Sequence, residues 1–423
     1  MSAMACRSNV LIAGGGSAGT AAAIAAARAG ASVRLIEATG GLGGNWTNAP
    51  IFSASDWRGK TPFMREFEAR LEALIGTPVR RDLSRIHPAV EGSFFCSPEW
   101  TRAVLETLCV EAAVGVRFHT RVVEAQCDDT GAITGVATES KSGRETWHAD
   151  VFVDATGDGD LGFLAGCGFD FGRPATGRTQ PMSVHVLVSG VRHEDILPYL
   201  HWGRPPEDRG MRKSLADELA RAGFRASYGN PGIQWLGHGL YGLGLNHEYG
   251  CGLDADALSL ATLQGRAECM GAVVALRSLG GIWETLEPVA SSAAIGVREG
   301  RRIHADYTVS RDDLIEGRRH ADAVTRACFP VDVHATDASE GSTFSNEGVE
   351  AQPYDIPLRA LIARDAANLL LAGRCIGGDF IAHASYRVIG NCVATGEAAG
   401  RLAATAALRG CLPRDVPYRD VLK

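Results

Sequence analysis

The sequence predicts an α/β fold: a parallel sheet flanked by helices, with a three-stranded β-meander, interrupted by an α+β unit. Three observations lead there. An apolar run, NVLIA at 9–13, passes through GGGSAG at 14–19 into an alanine-rich helical stretch and then a second apolar run, SVRLIE at 32–37. Three alternating segments lie at 116–125, 133–139 and 147–155, the first two joined by a D-D-T-G turn. Near the far end NLLLA at 368–372 leads into another glycine-rich turn and another alanine-rich helix. Short apolar runs between such turns suit buried parallel strands.

Composition narrows the class. A chain of 423 residues exceeds one ordinary core, so more than one structural unit is expected. The net charge of -7 offers no basic field for nucleic acid or an anionic membrane. Eleven cysteines include no C-x-x-C pair, which argues against a zinc ribbon, an iron–sulfur cluster or a redox disulfide at that spacing. Free thiols in that number suit a reducing cytoplasm. Residues 10–27 are apolar, but GGGSAG breaks the run, and neither a spanning helix nor a signal peptide is expected.

The first unit has a mechanical reading. Gly14, Gly16 and Gly19 fit G-x-G-x-x-G between a strand and a helix expected over 18–29. Gly14 permits the tight turn, Gly16 lets a pyrophosphate approach the backbone, and Gly19 lets the helix pack on the strand. The helix start, with Ser17 and Ala18, offers unpaired N–H groups to phosphates. Glu37, followed by Ala38, stands where an acid accepts hydrogen bonds from the adenosine ribose. This is a Rossmann-like nucleotide site. A second glycine cluster, GGLGGNWT at 40–47, is surplus for a nicotinamide dinucleotide but suits FAD, whose longer arm passes close to the backbone beyond the second strand.

At these residues the sequence resembles the FAD-dependent oxidoreductases of the glutathione-reductase/succinate-dehydrogenase superfamily. The resemblance implies that Gly43, Gly44, Asn45 and Thr47 line the pyrophosphate and flavin path, and that backbone around Val123 meets the adenine. Further blocks match. ATGD at 155–158 places Ala155, Gly157 and Asp158 on the adenosine side, although Asp158 and Asp160 are equally suited to capping a helix. GVREGRR at 296–302, ADY at 305–307 and FPVDVH at 329–334 resemble the family's late substrate-domain block; Arg298, Arg301 and Arg302 also read as a helix face held by ion pairs. Gly373, Arg374 and Asp379 match its terminal FAD motif. Gly390 and Asn391 stand where a closing helix begins, its positive end aimed at charge on the reduced flavin.

The implied domains are a discontinuous FAD-binding domain at 8–60, 98–177 and 356–410, an insertion at 61–97, a substrate domain at 178–355 whose sheet faces the flavin, and a tail at 411–423. Strands are expected at 354–358 and 368–372, both returning to the first sheet, and helices at 211–222, 257–279 and 393–408. Trp235, His238 and Tyr241 read either as pocket walls or as edge packing. No NAD(P)H site is expected, and the W-x-W-x-I-P signature of flavin halogenases is missing. Asn45 and Trp46 stand where some dehydrogenases carry a flavin-linking His, so FAD is expected to be non-covalent.

The expected activity is hydride transfer between flavin N5 and a small organic substrate, with a separate electron donor or acceptor. The alternatives are a monooxygenase using NAD(P)H and oxygen, and a flavin-binding protein without activity. His383, Tyr386 and His334 are the acid/base candidates, and Arg387 suits a carboxylate or enolate. Asp332 and His334 resemble half a metal site with no third ligand at a recognisable spacing, so no metal is expected.

Overall fold

Val10, Leu11, Ile12 and Ala13 are wholly buried, because the strand Arg7–Ala13 lies at the centre of a sheet covered on both faces. The computed structural model describes residues 7–57, 60–77, 93–200 and 214–422. Parallel neighbours flank the central strand: Val33–Ile36 on one side and Gly143–Asp154 on the other. Gly115–Arg117 and Leu369–Leu371 extend the sheet outward, also in parallel. The long strand Gly143–Asp154 serves twice, since its first half pairs antiparallel with Ile133–Ser140, which in turn pairs with Arg121–Cys127. This is the expected α/β sheet with its meander.

Two helices cover one face and touch along small residues. Ser17–Arg28 follows the first strand, and Ile389–Arg409 closes the fold. A Cβ at Gly396 or Gly400 would lie 2.1 Å from the carbonyl oxygen of Ala18 or Ala22. Only glycine lets the two backbones meet at that separation. No helix among the described residues is long and apolar enough to cross a membrane.

The inserted sheet is antiparallel, in the order Gly232–Gly237, Leu240–Gly244, His185–Ser189, Glu287–Ser291. Strand alternation sorts its two faces. Val184, Val186, Val188, Ile233, Tyr241 and Leu243 point into a core shared with the helix Ala255–Ser278. His185, Gly232, Gln234 and Gly244 line a cavity on the opposite face.

Several expectations shift. The segment 116–125 is two strands, not one. His119 takes a left-handed φ of 50°, and the chain leaves the parallel sheet after Arg117 to enter the meander at Arg121. Tyr354–Pro357 pairs with Ala323–Ala327 and does not rejoin the first sheet; Leu369–Leu371 does. The arginines of GVREGRR lie on no helix. Glu299 and Arg302 still pair at 2.7 Å, deep in the protein, and Arg302–Ile303 bridges to Phe169–Asp170. The second core ends at Val297, while Ile303, Val309, Leu314, Ala327, Val331 and Val333 pack into the first, so 303–355 is built onto the nucleotide-binding unit. In the insertion, Pro62–Ile75 is a helix capped by Thr61, and Phe94–Phe95 pairs with Ser53–Ala54. Residues 78–92 of the insertion and 211–213 of the helix expected at 211–222 lie outside the described residues; the helix is seen as Leu215–Arg221. The tail at 411–423 buries Val416 and Val421 against the first core.

Candidate active site

A cavity of about 950 Å³ runs from the first glycine turn to the inserted sheet. Its nucleotide end is built by backbone. Gly14 has a φ of +96°, and a Cβ there would stand 2.4 Å from the Ala155 carbonyl oxygen. At Gly16 the nearest atom to such a Cβ would be the Gly44 Cα, 3.9 Å away, and the two glycine turns join into one cradle through the Gly43 N–H, which donates to the Gly15 carbonyl at 2.8 Å. Gly19 packs instead of lining: its Cβ would meet the Gly14 carbonyl oxygen at 1.8 Å. The helix Ser17–Arg28 has no side-chain cap, which leaves its first N–H groups for an anion.

Gly14, Gly16, Ser17, Ala18 and Glu37 all line the cavity, as do Gly44, Asn45, Ala155, Gly157, Gly373 and Arg374. Glu37 accepts from the Gly15 N–H at 2.6 Å and from the Thr39 N–H and hydroxyl, each at 2.7 Å, which fixes its carboxylate at the rim. Arg374 donates to Asp158 at 2.9 Å, and Gly157 is pressed against its guanidinium. Burial raises the Asp158 carboxyl, opposed by Arg374. The donors, the cradle and the acid fit a dinucleotide cofactor of FAD's kind.

Other expected cofactor residues stand back from the cavity. Gly43 turns the second cluster with a φ of +106°, Thr47 donates to the Leu42 carbonyl, and Ala38 and Val123 do not line it. Asp379 caps the helix Phe380–Tyr386 through the Ala382 N–H and also accepts from Arg311 N–H. Gly390 lies tight against the Asp56 carbonyl, and Asn391 accepts from the buried Lys60 ammonium. The start of the closing helix does reach the cavity, through Val388 and Ile389.

The catalytic expectations need a larger correction. His383 and Tyr386 do not line the cavity; their helix is short, and both side chains turn into the first core. Neither ring nitrogen of His383 has a partner among the described residues, and burial, then Arg302 and Arg387, holds the ring well below its usual value. Tyr386 donates to the Ile376 carbonyl at 3.2 Å. Trp235, His238 and Tyr241 also fall away: Tyr241 lies in the second core, Trp235 packs on His193, and His238 sits in the hairpin turn with a φ of 47°. Alternation explains it, since Gln234 takes the cavity side beside Trp235.

His334 and Arg387 do line the cavity, and the structure surrounds them with residues that sequence reasoning missed as a group. His334 Nδ1 lies 2.8 Å from His247 Nε2, and its Nε2 lies 3.4 Å from Asp332. Arg387 Nη2 reaches the Asp332 carboxylate at 3.3 Å, the Asp332 carbonyl at 3.0 Å and the Gln180 side-chain oxygen at 3.3 Å. Tyr228 packs against His247 with ring centres 4.4 Å apart and planes tilted by 35°. Burial, then Arg298, pushes His334 down to about 4; burial, then Arg298 and His334, takes His247 to about 2. Burial opposes ionisation of Asp332, but His334, Arg387 and Arg298 outweigh it and hold the carboxyl well below the usual range.

His185 was not expected at all. Its Nδ1 lies 3.2 Å from the Ala49 carbonyl oxygen, and a carbonyl can only accept, so Nδ1 carries the proton. Nε2 is then the basic nitrogen, with no partner among the described residues, in a ring that lines the cavity. Burial pushes the imidazole down to about 4, so it is neutral at pH 7. The signal was alternation: in QPMSVHVLVSGV, His185 is the polar residue between the inward valines.

A dinucleotide cradle joined through one cavity to a wall of titratable side chains defines a cofactor-dependent oxidoreductase. The chain belongs to the FAD dependent oxidoreductase family, whose model matches residues 9–423, and FAD is its cofactor. The fold is similar to that of the flavin-dependent brominase Bmp2, with 14% identity over 98% of this chain and 83% of that one and a TM-score of 0.50. CmlS, a flavin-dependent halogenase, is similar at 13% identity, over 96% of this chain and 59% of that one, with a TM-score of 0.50. No curated protein matches the chain by sequence.

Proposed function

We propose that the enzyme transfers a hydride between flavin N5 and a small organic substrate lodged against the inserted sheet, with His185 taking the accompanying proton when the substrate is oxidised. FAD, when bound, supplies the hydride acceptor or donor. Gly14, Gly16, Ser17, Ala18, Gly44, Asn45, Ala155, Gly157, Gly373 and Arg374 would hold it, non-covalently, with Glu37 at the ribose. The observation that carries the reading is the state of His185: neutral, fixed in one tautomer and open at Nε2. Such a nitrogen accepts a proton from an O–H, N–H or C–H. His334 is less suited to that step, since both its ring nitrogens already face protein groups; it orients Asp332 and, through it, Arg387.

Titrating the yellow holoenzyme with a metabolite panel under nitrogen tests this. A substrate should bleach the flavin with no NAD(P)H present, and His185→Ala should slow bleaching by about 10²- to 10⁴-fold. Reduction only by NAD(P)H, with oxygen consumed only when substrate is present, would replace hydride transfer by monooxygenation.

A further inference from the structure

Arg298 and Arg387 face the same end of the cavity, and one carboxylate, Asp332, stands between them and neutrality. Nearby acids are already engaged. Glu299 is paired with Arg302 at 2.7 Å, and Asp158 with Arg374 at 2.9 Å. His334 and His247 are neutral, and burial raises the Tyr228 hydroxyl, so none of the three supplies negative charge. Two guanidiniums against one carboxylate leave this buried end with one positive charge in excess. An unmatched buried charge is costly, and an anion relieves it.

The donors for that anion are in place. Arg298 spends Nη1 on the Pro181 carbonyl at 2.6 Å and the Ser183 hydroxyl at 2.8 Å, while its Nε and Nη2 have no acceptor among the described residues. Arg387 spends Nη2 on Asp332 and Gln180, while its Nη1 has no acceptor among the described residues. Burial, then Arg387, lowers Arg298 to about 10, which leaves it charged at neutral pH. Beside these donors the wall is aromatic and apolar, with Tyr228, Phe329, Val331 and Phe344.

We infer that Arg298 and Arg387 form an anion subsite that seats the carboxylate of an organic acid, with the acid's apolar body against Tyr228, Phe329 and Phe344. This rests on the hydride-transfer reading for what happens next, and it deepens that reading by naming the substrate class. A planar carboxylate matches the fork of a guanidinium and gains two charge-assisted hydrogen bonds. The competing occupant is negative charge on the reduced flavin itself.

Benzoate and its neutral counterpart benzyl alcohol separate the cases. Titrated into oxidised holoenzyme and followed by flavin absorption, benzoate should give a saturable change, with benzyl alcohol about tenfold weaker or worse. Arg298→Met and Arg387→Met should each weaken benzoate about tenfold or more while the protein stays yellow, and the Lys variants should recover part of that loss. Should a Met variant fail to fold, its Lys counterpart carries the comparison, because a Lys keeps the charge but not the fork. Equal binding of benzyl alcohol, or unchanged benzoate binding in the variants, overturns the subsite. A lower flavin midpoint potential with unchanged benzoate binding also overturns it and gives the charge to the reduced flavin. If benzoate binds as expected and no carboxylate of the panel bleaches the flavin, the subsite stands and hydride transfer falls.

Discussion

Gly244 lies flat against the ring of His185: a Cβ at Gly244 would stand 2.8 Å from Cδ2 and 2.9 Å from Nε2 of the imidazole. The two residues are register partners on adjacent strands, so the missing side chain of one makes room for the ring of the other. The cavity wall is therefore shaped by an absence as much as by a ring.

Gly244→Ala should push the His185 ring off its Ala49 contact and cost activity without costing the cofactor. The expected result is a fall in turnover of about 10- to 100-fold, with flavin absorbance per chain unchanged. A variant with normal turnover would separate His185 from the chemistry.

Acid should destabilise the protein, beginning well above the range of ordinary carboxylates. His185 and His334 are both pushed down to about 4, from an unfolded value near 6.5. A lowered value means the unfolded chain binds the proton first, so stability is full above about 6.5 and falls as pH drops toward 4. Each ring contributes about 3 kcal/mol at most to that loss. Melting temperature measured across this window should fall steeply in the wild type and less steeply in His185→Gln.

His383→Ala and Tyr386→Phe should leave the chemistry almost untouched. Both side chains lie in the core away from the cavity. Tyr386→Phe removes one hydrogen bond, to the Ile376 carbonyl, for about 1 kcal/mol of stability. Turnover per bound flavin within about twofold of wild type is expected, and a large loss would return these residues to the active site.

The first glycine turn was legible because its roles are backbone roles. Gly14, Gly16 and Gly19 have roles set by turn, approach and packing, and such roles leave glycines at fixed spacing in the sequence. The far end of the cavity was legible only in part. Asp332 and His334 stood out as neighbours in the chain, but His247 and Tyr228 reach them from far along it, and no spacing records that meeting. His383 and Tyr386 misled because a polar cluster beside a cofactor motif looks functional, while the short helix Phe380–Tyr386 turns them inward. His185 hid in a strand of valines, where a single polar residue is easily taken for an edge.

The close contact of the two long helices should be sensitive to a single methyl. In Gly396→Ala and Gly400→Ala the new Cβ would stand 2.1 Å from a carbonyl of the first helix, so the helices must part. Overpacking of this kind costs about 1–3 kcal/mol. Since Ser17 and Ala18 open the first of those helices and line the cavity, parting them should also loosen FAD. Chemical denaturation and flavin release measured on the same samples should shift together, more for Gly396, which meets the helix at Ala18 itself.

Arg374 and Asp158 form a partly buried pair at the cavity wall, and the two halves should not be equivalent on deletion. Removing Arg374 leaves Asp158 facing burial with its first compensating charge gone, so its carboxyl must protonate or drag water inward. Removing the charge of Asp158 leaves a guanidinium that still donates to the Val297 carbonyl. Arg374→Met is therefore expected to cost about 3–5 kcal/mol, the range for breaking a buried pair from one side, and to release FAD. Asp158→Asn should cost less and keep the protein yellow. In the double variant the penalty of Arg374→Met should shrink, because no carboxylate is left stranded, and a double-mutant cycle on denaturation midpoints reads that coupling directly. Additive losses would show that the pair does not hold the wall together.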